Sequence, residues 1–190
     1  MTFRIVVLAL AILALSVAPG AAQEADQTPL RTPDGIFVPT PQEVVDAMLK
    51  IAEVTSSDVV YDLGSGDGRI PITAAKVYGA RAVGIDIDPM RIREANENLK
   101  AAVAEDPSIA SRVQFLNQDL FTTDISEATV VTLYLLPSLN LKLIPKLNKE
   151  LKPGTRVVSH AFDMGPDIKP DIEPQNINGR TVYFYTTPID

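Results

Sequence analysis

The sequence predicts an α/β fold with a mostly parallel sheet of seven strands that ends in an antiparallel hairpin. Short apolar runs alternate with longer amphipathic segments, which is typical of a parallel sheet covered by helices. A glycine cluster follows the first of these runs and leads directly into a helical segment. Near the C-terminus, Asn178-Gly179 joins two extended segments, as in a tight hairpin. With 190 residues, of which 46% are hydrophobic, one domain with a substantial core is expected.

The N-terminus resembles a secretory signal peptide. A basic start over residues 1–4 precedes the apolar run Ile5 to Val17, and small residues follow up to Ala22. Cleavage after Ala22 is the favoured interpretation, and an uncleaved N-terminal anchor is the alternative. The run of about 13 apolar residues is short of the ~20 that span a bilayer. In both cases the domain is expected to be exported, periplasmic or secreted, with membrane contact only through residues 5–17 if the segment is retained.

Residues 23–35 have the composition of a mobile linker, and residues 36–190 form the predicted domain. At its start, Thr40-Pro41-Gln42-Glu43 predicts a helix with a capping box and proline in the first turn. The pattern of apolar residues then predicts strands over 57–62, 81–86, 113–116, 129–135 and 156–162. Helices are predicted over 69–78, from Asp88-Pro89 onward, and over 138–151 with a kink or division at Pro145. A last strand over 181–186 follows the hairpin turn.

The composition excludes several classes of site. The chain has no cysteine, which rules out disulfides, thiolate zinc sites and cysteine nucleophiles, and its single histidine rules out a multi-histidine metal centre. No metal site is therefore predicted. The formal net charge of -7 gives no general attraction for a phosphate backbone, so a nucleic-acid partner is disfavoured.

The glycine cluster between Asp62 and Gly68 predicts a ligand loop at the end of the first strand. Glycines allow a tight turn, and free amides at the following helix N-terminus face the ligand. The spacing is G-x-G-x-G and differs from the dinucleotide fingerprint, and no Gly-Lys-Ser/Thr follows for a phosphate-binding Walker loop. Asp62, directly before the loop, would repel a pyrophosphate but suits a ligand with an ammonium group.

Two further acids end the second and third strands. Asp86 lies where a carboxylate accepts both hydroxyls of a ribose, and Asp119 lies where one accepts a hydrogen bond from an adenine amino group. Together with Asp62 they indicate a ligand with a ribose, an amino-purine and a cation. The alternative for each acid by itself is a turn residue or a helix cap.

The stretch from Asp62 to Asp119 resembles the class I S-adenosylmethionine-dependent methyltransferases, whose fold is Rossmann-like. More narrowly, the chain resembles the archaeal and mitochondrial protein-lysine methyltransferases of the ATP-synthase c-subunit type. The segments that are similar to this group are Phe37-Val38-Pro39-Thr40-Pro41, Asp62-Leu63-Gly64-Ser65-Gly66-Asp67-Gly68-Arg69-Ile70, the run from Ala128 to Pro137, and Arg156-Val157-Val158-Ser159-His160.

The resemblance implies S-adenosylmethionine as cofactor and assigns its contacts. Asp62 would face the methionine ammonium, Asp86 the ribose, and Asp119 with Leu120 the adenine. The loop would wrap the sulfonium and carboxylate through Gly64, Ser65, Gly66 and Gly68. Thr40 would close over the methionine portion, with helix capping as its alternative.

The candidates for the acceptor side are an aromatic residue and the single histidine. Tyr134 would border the acceptor channel, although an aromatic residue in an apolar strand is usually part of the core. His160 would shuttle a proton, with a structural role as its alternative. No Asn-Pro-Pro-Tyr follows the fourth strand, so the acceptor clamp of many amide and nucleic-acid methyltransferases is absent from the sequence.

Three functions are compatible with these features. The favoured one is methylation of a protein lysine, with a membrane protein as a plausible target by resemblance. The second is methylation of a small molecule. The third is an exported nucleoside-binding module without turnover, because the methyl donor is a cytosolic metabolite and an exported enzyme would need another supply.

Overall fold

The computed structural model describes residues 30–190 of the chain. The predicted signal segment and residues 23–29 of the predicted linker lie outside the described residues. Among the helices of the described part, none is long and apolar enough to cross a membrane.

A seven-stranded sheet forms the centre of the domain and confirms the predicted fold class. Its strands are β1 (Val59–Leu63), β2 (Arg81–Asp86), β3 (Val113–Asn117), β4 (Val130–Leu133), β5 (Arg156–His160), β6 (Gln175–Ile177) and β7 (Arg180–Thr186). Their spatial order is β3-β2-β1-β4-β5-β7-β6. The first five strands are parallel, and β7 is antiparallel to both β5 and β6.

Within residues 30–190, four α-helices cover both faces of the sheet. They are α1 (Gln42–Ile51), α2 (Arg69–Tyr78), α3 (Pro89–Glu105) and α4 (Pro137–Glu150), and a short 3-10 helix spans Pro107–Ile109. Side chains of β1 alternate between the faces, so that Val60 packs with α1 and α2, whereas Val59 and Leu63 pack with α4. Burial on both faces explains why the parallel strands are nearly continuous apolar runs.

Two predicted strands are shorter than their apolar runs. β4 ends at Leu133, because its neighbours β1 and β5 pair with it only up to that residue, and Tyr134 therefore lies beyond the strand. β5 ends at His160, since Ala161 has a φ of 65° and leaves the extended conformation. α4 continues through Pro145 as one helix and is not divided there.

The predicted capping box at the start of α1 does not form. The residue that caps the helix is Pro41, with no side-chain hydrogen bond to the first turn. Thr40 is instead 5% exposed and turns its hydroxyl to a partner on β5. A threonine that finds a buried partner elsewhere is not available to cap a helix, and Thr40 becomes part of the site described below.

Candidate active site

A cavity of about 310 Å³ opens at the carboxyl ends of the central strands, within the range of about 300–1,000 Å³ typical of ligand pockets. This edge is where the strand order reverses between β1 and β4, the usual ligand position in such sheets. The predicted site residues that line it are Thr40, Asp62, Gly64, Ser65, Asp86, Leu120 and Tyr134. The predicted residues outside the lining of this cavity are Gly66, Gly68, Asp119 and His160.

The glycine loop adopts a backbone that requires glycine. Gly64, Gly66 and Gly68 have φ angles of 86°, 52° and 80°, in the left-handed region that other residues rarely enter. A Cβ on Gly68 would lie 2.4 Å from Phe115 and 2.9 Å from Ala95. The third glycine therefore lets α2 pack closely on the sheet, and the structure places it away from the cavity.

Asp62 is the most deeply buried acid of the cavity. It is 3% exposed, and within the described chain its carboxylate accepts a single hydrogen bond, from Thr132 Oγ1 at 2.7 Å. Burial raises the pKa of Asp62 to about 7, and the nearby Asp86 and Asp67 carboxylates add to the effect. An acid with so little compensation is a suitable partner for a cationic group that enters the cavity.

Asp86 adds another carboxylate to the cavity, and Ser65 is also part of its lining. Asp86 accepts hydrogen bonds from the backbone N–H groups of Gly66 and Asp88, both at 2.9 Å, which join the glycine loop to the end of β2. Each of its oxygens keeps a second lone pair for a ribose hydroxyl. The Ser65 hydroxyl is buried and has no hydrogen-bond partner among the described residues. The Ser65 Oγ faces the backbone of Gly84, where an added Cβ would lie 2.7 Å from it, so the hydroxyl does not open into the cavity.

Asp119 is covered by an arginine from the N-terminal segment. Arg31 donates to it twice, from Nε at 2.6 Å and from Nη2 at 3.3 Å. Arg31 lines the cavity in the place expected for Asp119. Arg31 is not among the predicted site residues, because its stretch has no periodicity and has the composition of a linker.

His160 lies behind the cavity wall. Its Nδ1 is 3.1 Å from Thr40 Oγ1, and its ring centroid is 3.9 Å from that of Tyr134. His160 is 1% exposed, and burial, together with the positive charge of Arg180, lowers its pKa to about 4. The imidazole is therefore neutral at neutral pH. His160 is not part of the cavity lining and contacts the lining residues Thr40 and Tyr134 from behind.

Tyr134 and Phe162 form an aromatic wall of the cavity. Both residues line it, and their rings are stacked with centroids 6.3 Å apart. The family resemblance implies the position of Tyr134, whereas no signal in the sequence predicts that of Phe162. Phe162 reaches the cavity because the chain turns sharply at Ala161.

The segment before α1 is fastened onto the glycine loop. The Phe37 ring lies against Gly66, where an added Cβ would be 2.1 Å from it, and Arg91 lies over the ring at 4.8 Å from its centre. Arg69 donates from Nη1 to the Thr40 carbonyl at 2.8 Å. The Phe-Val-Pro-Thr-Pro motif is visible in the sequence, but its contacts depend on residues distant in the chain.

Comparisons with known proteins identify the family of the chain. Residues 62–172 match the model of the ANTKMT methyltransferase domain family. A protein-lysine N-methyltransferase of Saccharolobus islandicus is 50% identical over 153 residues, which cover 78% of this chain and 91% of that protein. The human lysine N-methyltransferase of the ATP synthase c-subunit is 29% identical over 152 residues, which cover 78% of this chain and 60% of that protein.

A solved structure extends the agreement to three dimensions. The crystal structure of a Salinibacter ruber protein described as an RNA methyltransferase, in complex with S-adenosyl-L-homocysteine, is 56% identical with a TM-score of 0.74. The match covers 80% of this chain and 94% of that protein. The family match, these relatives and the acids Asp62 and Asp86 of the cavity indicate the same cofactor. The chain thus belongs to the ANTKMT methyltransferase domain family and is an S-adenosylmethionine-dependent methyltransferase.

Proposed function

We propose that this protein methylates the side-chain amine of lysine in a protein. The observation that carries the proposal is the composition of the cavity, in which a buried acid, Asp62, lies beside an uncharged wall of Tyr134, Phe162 and Leu139. The acid suits the cationic methionine end of the donor. The uncharged wall suits an amine that must be neutral in order to react. The 50% identical protein-lysine N-methyltransferase supports this choice of acceptor.

The polar side of the cavity would hold the donor. Asp62 would pair with its ammonium group, the glycine loop would enclose its methionine portion, and Asp86 would accept from the ribose. S-adenosylmethionine supplies a methyl group that is already activated by a positively charged sulfur. The chain therefore has to position the acceptor in line with that methyl group and a short distance away.

The aromatic wall would position the acceptor. An apolar channel lowers the pKa of a lysine amine, because desolvation disfavours its charged form, and so exposes the nitrogen lone pair. Tyr134 would flank the lysine side chain. His160 and Thr40, linked at 3.1 Å, would hold the Tyr134 ring in place from behind.

The mouth of the cavity favours a protein acceptor. Ile36, Val38 and Leu136 line it and are 91%, 50% and 45% exposed. Exposed apolar side chains around a pocket are typical of protein-interaction surfaces.

RNA methylation is the second candidate, because the Salinibacter ruber protein is described as an RNA methyltransferase. The pairing of the positive charges in the cavity lining disfavours RNA as the acceptor. The arginines of the cavity lining are Arg31, Arg69 and Arg91, and each is paired with a carboxylate, of Asp119, Asp67 and Glu94 respectively. Phosphate binding depends on basic side chains that are free to neutralise the backbone.

Transfer of a labelled methyl group tests the acceptor class. The purified chain is incubated with methyl-labelled S-adenosylmethionine and, in separate reactions, with protein, RNA and low-mass fractions of its host cell. We expect label in protein, recovered as methyllysine after acid hydrolysis. Label that is sensitive to ribonuclease, or that stays in the low-mass fraction, would contradict the proposal, and binding without transfer would indicate a non-catalytic module.

Two tyrosine variants test whether Tyr134 belongs to the acceptor site. Tyr134→Ala is expected to lower turnover by about 10–100-fold, because misplacing an acceptor strongly affects rate, while S-adenosylhomocysteine binding stays within about twofold. Tyr78→Ala, in the last turn of α2 and outside the cavity lining, is the matched control. Equal activity of the two variants would remove Tyr134 from the acceptor site.

We also propose that residues 1–22 direct export of the domain. The supporting observation is the sequence pattern of a basic start, an apolar run and small residues. The N-terminus of the protein isolated from its host, determined by mass spectrometry, tests cleavage, which predicts Gln23 as the first residue. An intact N-terminus in a cytosolic fraction would contradict export.

A further inference from the structure

Residues 31–38 run along one side of the donor cavity, and we call this segment the strap. Seven of its eight residues line the cavity, namely Arg31, Pro33, Asp34, Gly35, Ile36, Phe37 and Val38. At its C-terminal end Phe37 packs on the glycine loop. At its N-terminal end the strap is held by Arg31.

Arg31 is paired with two aspartates, one distant in the chain and one within the strap. It binds both oxygens of Asp119, which is 88 residues away in the chain, and through Nη1 it also binds Asp34 of the strap itself. Its guanidinium lies 5.2 Å from the centre of the Phe121 ring. The hydrogen bond to Asp119 raises the pKa of Arg31. Burial acts to raise the pKa of Asp119, but the hydrogen bond from Arg31 and other contacts lower it overall. Both groups are charged at neutral pH.

This pairing uses the acid that the sequence assigns to the adenine. Both Asp119 oxygens accept from Arg31, and Oδ1 also accepts from the Phe121 backbone N–H at 2.9 Å. Leu120, the other predicted adenine contact, lines the cavity, whereas Arg31 lies between the cavity and Asp119. Because Arg31 lies on the cavity side of Asp119, an adenine amino group that binds this carboxylate has to displace Arg31.

We propose that Arg31 is a latch on the adenine partner Asp119 and is displaced when S-adenosylmethionine binds. The proposal rests on the donor site described above. During displacement Arg31 keeps its bond to Asp34, which belongs to the same segment and moves with it. The guanidinium thus retains one carboxylate, which lowers the cost of opening. The latch must open each time the donor enters and each time the product leaves.

Binding of S-adenosylhomocysteine to the full chain tests the latch. This probe has no net charge, so its association is not steered by the acidic protein. Arg31→Gln removes the competitor, and we expect its affinity to rise about fivefold and its association to become faster, as for a partly exposed ion pair that holds a site closed. Arg81→Gln, which removes the same charge from a surface pair with Glu127 at 3.6 Å, is the matched control and is expected to bind like the wild type.

Salt concentration and a second variant give independent readouts. Salt weakens a partly exposed ion pair, so the wild-type affinity should rise between low and high salt while that of Arg31→Gln stays constant. Asp34→Asn removes the carboxylate that retains the displaced arginine and should weaken binding severalfold.

The outcomes separate the latch from the donor site. Unchanged affinity and rate in Arg31→Gln would overturn the latch and leave the donor site intact. Weaker binding in that variant would also overturn it, because Arg31 would then be a contact of the donor. If neither the wild type nor the variants bind S-adenosylhomocysteine, the donor site itself fails and the latch fails with it.

Discussion

Two buried aspartates at opposite ends of β1 differ sharply in their surroundings. Asp58 precedes the strand and Asp62 lies near its end, and they are 5% and 3% exposed. Asp58 accepts from the Thr55 backbone N–H at 2.7 Å, from the Thr55 hydroxyl at 3.0 Å and from the Thr129 hydroxyl at 2.7 Å. It also forms an ion pair with Arg156. Although burial acts to raise the pKa of Asp58, these hydrogen bonds hold it below its ordinary value.

Asp62 has the same burial without the same compensation. Thr132 is its one hydrogen-bond donor within the described chain, and its pKa is raised to about 7 by burial. The difference indicates that the fully paired Asp58 stabilises the fold, whereas the incompletely paired Asp62 is available to bind a ligand. Perturbed acids in a cleft are a general sign of a functional site.

Substitution at the paired acid should have the largest effect, on stability. Asp58→Ala leaves Thr129 and Arg156 without their shared acceptor, and we expect the free energy of unfolding to fall by about 3 kcal/mol. Chemical denaturation at pH 7 measures the loss. Binding of S-adenosylhomocysteine by the folded fraction should be unchanged. Loss of binding without loss of stability would contradict the structural role of Asp58.

Substitution at the incompletely paired acid should instead affect binding. Asp62→Asn removes the charge that faces the donor ammonium, and we expect the affinity for S-adenosylhomocysteine to fall about 100-fold, as for a buried charged hydrogen bond. Isothermal calorimetry measures it, with Asp58→Asn as the control. An affinity within a few fold of the wild type would show that Asp62 does not hold the ammonium.

The raised pKa of Asp62 predicts a pH dependence of donor binding. The ammonium group binds the ionised carboxylate, so below about pH 7 the donor must displace a proton. We expect the affinity to fall by up to about tenfold per pH unit from pH 7 to pH 5.5, with proton release on binding. Calorimetry in buffers of different ionisation enthalpy detects that release, and a flat profile in the wild type would contradict the prediction. In Asp62→Asn the profile should be flat.

The smallest effect is on the stability of the donor-free protein. Because the folded state binds a proton on Asp62 more tightly than the unfolded chain, Asp62 makes an increasingly unfavourable contribution to stability as the pH rises through about 4 to 7. The asparagine amide is itself buried and has few partners, which offsets much of the gain from removing the charge, so Asp62→Asn should raise Tm by a few degrees at pH 8 and by less at pH 5. Thermal unfolding at the two pH values measures this difference. A lower Tm of the variant at pH 8 would show that the Asp62 carboxylate stabilises the fold.

Local signals predicted much of the fold. The helix start at Asp88-Pro89 is confirmed, with Asp88 accepting from the Met90 N–H at 2.7 Å. The hairpin turn at Asn178-Gly179 is confirmed by positive φ angles at both residues. Thr40 shows where such signals fail. A capping box is a local pattern, whereas the Thr40 hydroxyl makes its hydrogen bond with His160, which is 120 residues away in the chain.

The sequence by itself determined the α/β class, the glycine loop and the acids at the strand ends, because these depend on periodicity and on spacing along the chain. The placement of Asp62 and Asp86 on one cavity follows from the rule that parallel strands end at the same edge. Only the tertiary structure decided which partners these groups have. Arg31 covers Asp119, Thr132 is the one hydrogen-bond donor to the Asp62 carboxylate among residues 30–190, and His160 lies behind Tyr134. Such pairings join residues far apart in the chain, and the burial that sets their pKa values exists only once the strands and helices have packed together.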